Sequence, residues 1–246
     1  MTAPTPSSVC YVGWDVGGWN CNKNGRSRDA IVILDAALQI LGRPWRGNLR
    51  RTINEAADAS AFLKALFSLC GAVPFEDADH RVTMAIDAPL GFSQAFLDLV
   101  SGRGISQPIE SSASNPYLFR HTERFLFDQG LTPLSAIKDM IGSQATKGMH
   151  AVAKFAPGQV NCGVWTDDRN LVAIEAYPAA CKASATMATL RQTYSVLDHQ
   201  DKQDALTCAL VAFLFDQKRE ALAGPEDTVP MGEGWIWVPS DALCLA

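Results

Sequence analysis

Apolar and polar positions along the chain follow two periods. Val9 to Asp15 is a short apolar run closed by Gly17-Gly18, and Ala30 to Leu34 (AIVIL) is a continuous β-branched run, so both predict buried strands. A third, weaker strand runs from Leu38 towards Trp45, interrupted by Gly42 and Pro44. From Ile53 to Cys70, apolar residues recur mostly at three-and-four spacing, which predicts one amphipathic helix. Val82 to Ile86 predicts a buried strand ending at Asp87 and Pro89, and residues 92–158 read as mainly helical. Val160–Trp165 and Leu171–Ala176 predict a hairpin across the turn Asp167-Asp168-Arg169-Asn170. Asp201 to Leu222 is the most apolar helix, and GWIWVP near the end predicts a short strand or a docking tail. Three meandering strands followed by alternating helices and strands predict one α/β domain over residues 1–246, a mixed sheet with a helical insertion at about 92–158.

Composition narrows the class. The 246 residues are rich enough in apolar side chains to bury a core without cross-links. Seven cysteines, an odd number with no C-x-x-C pair, read as reduced thiols rather than a disulfide or zinc framework. No window reaches the roughly 18 apolar residues of a membrane span, and the first ten residues lack the basic start and apolar stretch of a signal peptide. The expectation is a cytoplasmic protein with no membrane contact. Net charge is −5, yet residues 1–51 carry seven basic and three acidic groups. Lys23, Arg26, Arg28, Arg43, Arg46, Arg50 and Arg51 therefore form a basic region able to hold phosphates.

Three strands share one ending, an apolar run, then a carboxylate, then a turn-former: VGWD at Asp15, MAID at Asp87 and VAIE at Glu175. Acids at such places commonly cap turns. Asp201 and Asp204 lie three apart and so share one face of the first turn of the last long helix. If the first and fourth strands are parallel neighbours, Asp15 and Asp87 stand about 4.8 Å apart, one strand spacing, and the helix brings Asp201 or Asp204 alongside. Carboxylates that close repel and raise one another's pKa. Hard divalent cations, Mg²⁺ or Mn²⁺, relieve that repulsion with oxygen ligands, and a pair of them suits phosphodiester hydrolysis. The expected metal set is Asp15, Asp87, Asp204 and Glu175, with Asp201 as a further catalytic acid. The substrate is a nucleic acid or a nucleotide, with Arg50, Arg51 and Lys147 as candidate phosphate contacts.

The segments VGWDVGGW, AIDAPLGF, the Arg120 and Arg124 region of YLFRHTERFL, IEAYPAA, KQDALTCALVA and EGWIWVP together resemble the 429 family of domains of unknown function. That resemblance implies an RNase H-like fold and nuclease activity, and HQDKQDAL is similar to the last catalytic helix of RuvC-type resolvases. On that basis Asp15 takes the first-strand position, Asp87 the fourth-strand position, and Asp201 with Asp204 the helix positions. Glu175 belongs to the family pattern but has no counterpart in a minimal RNase H-like site.

Other readings compete. DVGG also resembles the first phosphate loop of actin-like ATPases and sugar kinases, although no second such loop follows. Gly142–Gly148 lacks the Gly-Lys-Ser/Thr order of a P-loop. Ser93 lies too far beyond Ile86 for a nucleophile elbow. His199 could tune a metal site or cap its helix, and a binding module without catalysis on the same fold is the further alternative.

Overall fold

The computed structural model describes residues 9–74, 80–104, 106 and 108–243. Strand β1 (Val9–Asp15) runs antiparallel to β2 (Asp29–Asp35), which pairs antiparallel with the short β3 (Trp45–Gly47). Strand β4 (Arg81–Asp87) lies parallel to β1 on its other side, and β7 (Leu171–Ala176) lies parallel to β4. The hairpin of β5 (Gly158–Asn161) and β6 (Val164–Thr166) continues the sheet antiparallel to β7. The order is β3-β2-β1-β4-β7-β6-β5. Strand β9 (Ile236–Pro239) adds in parallel beside Glu175 and Ala176, and β8 (Leu222–Ala223) pairs with it. The chain is thus an α/β protein with a mixed sheet, as the pattern predicts.

Helices cover both faces. On one lie α1 (Arg50–Glu55), α2 (Ala59–Cys70) and α5 (Gly142–Phe155), whose Ile53, Phe62, Leu66 and Phe155 pack with Trp14, Ile31 and Met84. On the other lies α7 (Gln200–Gln217), with α6 (Ala185–Arg191) before it. Between β4 and α5 stand α3 (Gln94–Val100) and α4 (His121–Asp128), and no strand interrupts this segment among the described residues.

Four expectations need correction. The third strand, expected from Leu38 towards Trp45, is the short β3 at Trp45–Gly47, with a single bridge between Leu34 and Ile40 before it. The helix predicted over Ile53–Cys70 is two helices, because Ala56 is extended and the Asp58 carboxylate accepts the Ala61 N–H (2.8 Å) to start α2 afresh. The strand predicted over Val160–Trp165 is a hairpin, folded at Gly163 with φ +72°, where a Cβ would strike the backbone of Trp235. The last helix stops at Gln217 rather than Leu222, which pairs instead with Pro239. The six described cysteines are buried and unbonded to one another, while Cys244 lies outside the described residues. Among the described residues no helix is long and apolar enough to cross a membrane.

Helix α7 is buried all round from Ala205 to Ala212. It lies directly on β1 at Gly13, where an added Cβ would sit 1.8 Å from the Ala205 carbonyl oxygen and 2.4 Å from the Ala209 nitrogen. Only backbone can yield there. Gly13→Ala should therefore cost at least about 3 kcal/mol, the upper end for overpacked cores, in urea unfolding. Gly142→Ala, at the first position of α5 with open space around it, should be neutral or slightly stabilising. Equal effects would mean that helix and strand can move apart.

Candidate active site at the carboxyl ends of the parallel strands

Strands β1 and β4 finish together. Their register pairs Asp15 with Asp87, so the two carboxylates occupy neighbouring strand ends. Alternation along the strands fixes the face. Tyr11 and Ala85 pack on the α7 side while Trp14 and Ile86 pack on the other, so Asp15 and Asp87 stand on the α7 side. The Gly13 contact seats the first turn of α7, which carries Asp201 and Asp204, above that edge.

The five fully buried carboxylates among the described residues each have a basic partner. Asp29 meets Lys147, Glu123 and Glu175 share Arg120, Asp201 meets Arg46, and Glu233 meets His121. The half-buried Asp15 and Asp87 have neither an ion pair nor a side-chain hydrogen bond among the described residues. Burial, then Asp87, Asp201, Asp204 and Asp29, push the Asp15 pKa up to about 9. Burial, then Asp204 and Glu175, push Asp87 up to about 8. Asp204 is also raised, by burial, against the Gln200 amide and the charges of Lys182 and Arg191. Gln200 Nε2 donates to both Asp204 oxygens, at 2.8 and 3.0 Å.

Asp201 is committed elsewhere. Its Oδ2 accepts from Arg46 Nε (2.6 Å) and the Arg28 N–H (2.9 Å), tying α7 to the basic loop and β3. His199 caps the helix, its Nδ1 accepting the Asp201 N–H at 3.1 Å. Glu175 ends its strand as expected but looks the other way. It pairs across the ladder with Ile86 rather than Asp87, which turns it to the opposite face. There Arg120 grips both its oxygens (2.7 and 2.8 Å), and Oε2 also accepts the Leu90 N–H (2.8 Å). Glu175 thus shapes the turn that follows Asp87 and, held by Arg120, lines the same hollow as Asp15 and Asp87 rather than being a free ligand.

The expected phosphate contacts are also placed differently. Lys147 is fully buried, its ammonium on Asp29 and the carbonyl oxygens of Gly17 (3.2 Å) and Gly18 (3.4 Å). Asp29 further accepts from Trp14 Nε1, the Gly17 N–H and the Leu49 N–H, so this pair fixes the loop leaving Asp15. Lys147 is a buried structural cation, not a phosphate contact. Arg50 and Arg51 are exposed, the first bonded to Asn20 (2.8 Å) and the second to Glu55 (2.7 Å). Sequence reading missed Asp29 and Glu233, because nothing local marks an acid whose partner lies far along the chain, and it missed Glu123, whose partner Arg120 stands only three residues before it.

Asp15, Asp87 and Asp204 offer only carboxylate oxygens, the donor chemistry of hard divalent cations. As the side chains stand, no group of three or more His, Cys, Asp or Glu is gathered to hold a metal among the described residues. The arrangement therefore supplies charge and donor type but not a gathered ligand set.

Raised pKa values set the sign of a stability test. In the folded metal-free protein Asp15 and Asp87 prefer the protonated form, so their contribution is full below the unfolded value, about 4, and is lost as pH rises towards 8 and 9. At about pH 7, Asp15→Asn should raise stability by at least one pKa unit's worth, about 1.4 kcal/mol, and flatten the decline above pH 4. A loss of that size in thermal unfolding would instead make Asp15 a turn cap.

In comparisons with known proteins, no family model matches the chain, no curated protein matches it, and no solved structure matches it.

Proposed function

We propose that the protein is a divalent-metal-dependent phosphodiester hydrolase, a nuclease acting through Asp15, Asp87 and Asp204 on an RNase H-like sheet. The observation that carries this reading is the pair Asp15 and Asp87, unpartnered among the described residues and matched in register at neighbouring strand ends, where the fully buried acids described all have basic partners. The order of strands supports it further: three antiparallel strands, then parallel strands reached through helices, then a helix whose first turn carries two acids.

Mg²⁺ or Mn²⁺ bound at these acids would neutralise developing phosphate charge and activate a water. The chain's own residues divide the remaining work. Asp15 and Asp87 supply the rigid donors, since both end strands in the middle of the sheet. Asp204 is carried by α7, held in place at Gly13. Asp201 anchors the basic loop through Arg46. Glu175, with Arg120, holds the Leu90 N–H and so the exit of the chain beyond Asp87.

This division predicts different failures for two acids. Asp87→Asn should lower Mn²⁺-dependent cleavage of a labelled oligonucleotide at least 100-fold, about 2.7 kcal/mol in the barrier, with stability kept or increased. Glu175→Gln should lose activity and stability together, since it leaves Arg120 with one buried counter-charge instead of two. Cleavage that survives Asp87→Asn would remove the proposed site. Hydrolysis of ATP with every polynucleotide left intact would favour a kinase-like nucleotide-binding protein.

A further inference from the structure

Resting on the hydrolase reading, the position of the substrate strand can be inferred from which cations near the acids remain unspent. Arg46, Arg120 and Lys147 are consumed by Asp201, by Glu175 with Glu123, and by Asp29. Arg51 is held by Glu55. Arg28 and Arg50 are bonded to neutral groups, the Asn24 carbonyl and the Asn20 side chain, and what sets Lys182 and Arg191 apart is that they line one groove with Asp204. Neither is paired with a carboxylate among the described residues, and Arg191 has only the neutral Gln203 Oε1, at 3.1 Å. Lys182 lies in the turn Ala180–Ala183 that follows β7, and Arg191 closes α6. Together with Tyr194, Gln200, Gln203 and Asp204 they line a groove of about 370 Å³. Both cations act on Asp204, drawing its pKa down against the effect of burial. Tyr194 is fixed in the wall of the groove by its hydroxyl, which donates to the Leu38 carbonyl oxygen at 2.6 Å.

A second hollow, about 180 Å³, is lined by Asp15, Asp87, Gln144 and Tyr177 and shares no lining residue with the groove. Asp204 lines one hollow and the strand-end acids the other.

We propose that the Lys182–Arg191 groove is a subsite for the phosphodiester backbone of a single-stranded nucleic acid, binding phosphates beside the nucleotide to be cleaved, with Tyr194 as a stacking face for a base. The paired charges suit a flexible strand, because aromatic stacking combined with a few phosphate contacts binds bases without reading their sequence. Phosphate binding moves from the Arg50 and Arg51 end of α1, suggested by charge along the sequence, to the far side of Asp204.

The test is fluorescence anisotropy of a labelled thymidine dodecamer on the full chain, across a salt series without divalent metal. Lys182→Ala with Arg191→Ala should weaken binding at least tenfold. It should also reduce the slope of log affinity against log salt by about 1.4, two contacts at about 0.7 each for single strands. Arg50→Ala with Arg51→Ala should change affinity by less than about twofold, far short of a lost contact. Thermal melting of each variant reports folding, and Lys182→Gln alone, at an exposed position, should reproduce part of the loss. An unchanged slope in the groove variant, an effect confined to Arg50 and Arg51, or competition by thymidine monophosphate as strong as by the dodecamer would overturn the proposal. Mn²⁺ calorimetry separates this from the hydrolase reading. A wild-type chain that takes up no Mn²⁺ while the groove variant still loses dodecamer affinity removes the hydrolase and keeps the groove. Mn²⁺ uptake with no groove effect does the reverse.

Discussion

Contact between the backbone of α7 and the backbone of β1 at Gly13 is the constraint on which the site depends. A glycine in a central strand gives up β propensity and side-chain packing. Here it lets the helix approach until Ala205 and Ala209 rest on the strand itself. The small residues Ala205, Ala209 and Ala212 continue the seam, while Leu206, Leu210 and Leu214 bury the rest of the helix in the apolar layer. Because the contact is so close, the helix has little freedom to slide, and its first turn is fixed over the ends of β1 and β4. Position 13 therefore governs a site that it does not line.

Electrostatics separates the buried acids into two groups. Asp29, Glu123, Glu175, Asp201 and Glu233 are tied to basic side chains, and all but the local Arg120–Glu123 tie join segments distant in sequence: β2 to α5, β7 to the start of α4, α7 to β3. Such pairs repay their desolvation only when their geometry is satisfied, and these accept several further hydrogen bonds. Asp15 and Asp87 have no such compensation and face each other from adjacent strands. Burial, then repulsion, makes their charged forms costly in the folded chain, and a cation held between them would lower that cost.

Much of this was legible in the sequence. The limits of β1 and β7 were read correctly to the residue, because each is an apolar run closed by an acid and a turn-former. Parallel pairing of β1 with β4 was only a condition in the sequence reading, and the register that brings Asp15 to Asp87 is supplied by the structure. The break between α1 and α2 was hidden because Ala56 and Ala59 preserve the apolar spacing across a cap set by Asp58. Glu175 shows a deeper limit. Its local pattern equals that of Asp87, yet a one-residue offset in the ladder places it on the opposite face, and no single strand encodes its register to a distant neighbour. Lys147 was misjudged for a related reason, since its partner Asp29 lies 118 residues away.

Anomalous diffraction from crystals soaked in Mn²⁺ tests the central claim most directly. The account predicts an anomalous peak between the Asp15 and Asp87 carboxylates, with Asp204 rotated from Gln200 towards it and Glu175 still on Arg120. Absence of a peak there at saturating Mn²⁺, with Asp15 and Asp87 left in their metal-free positions, would contradict it.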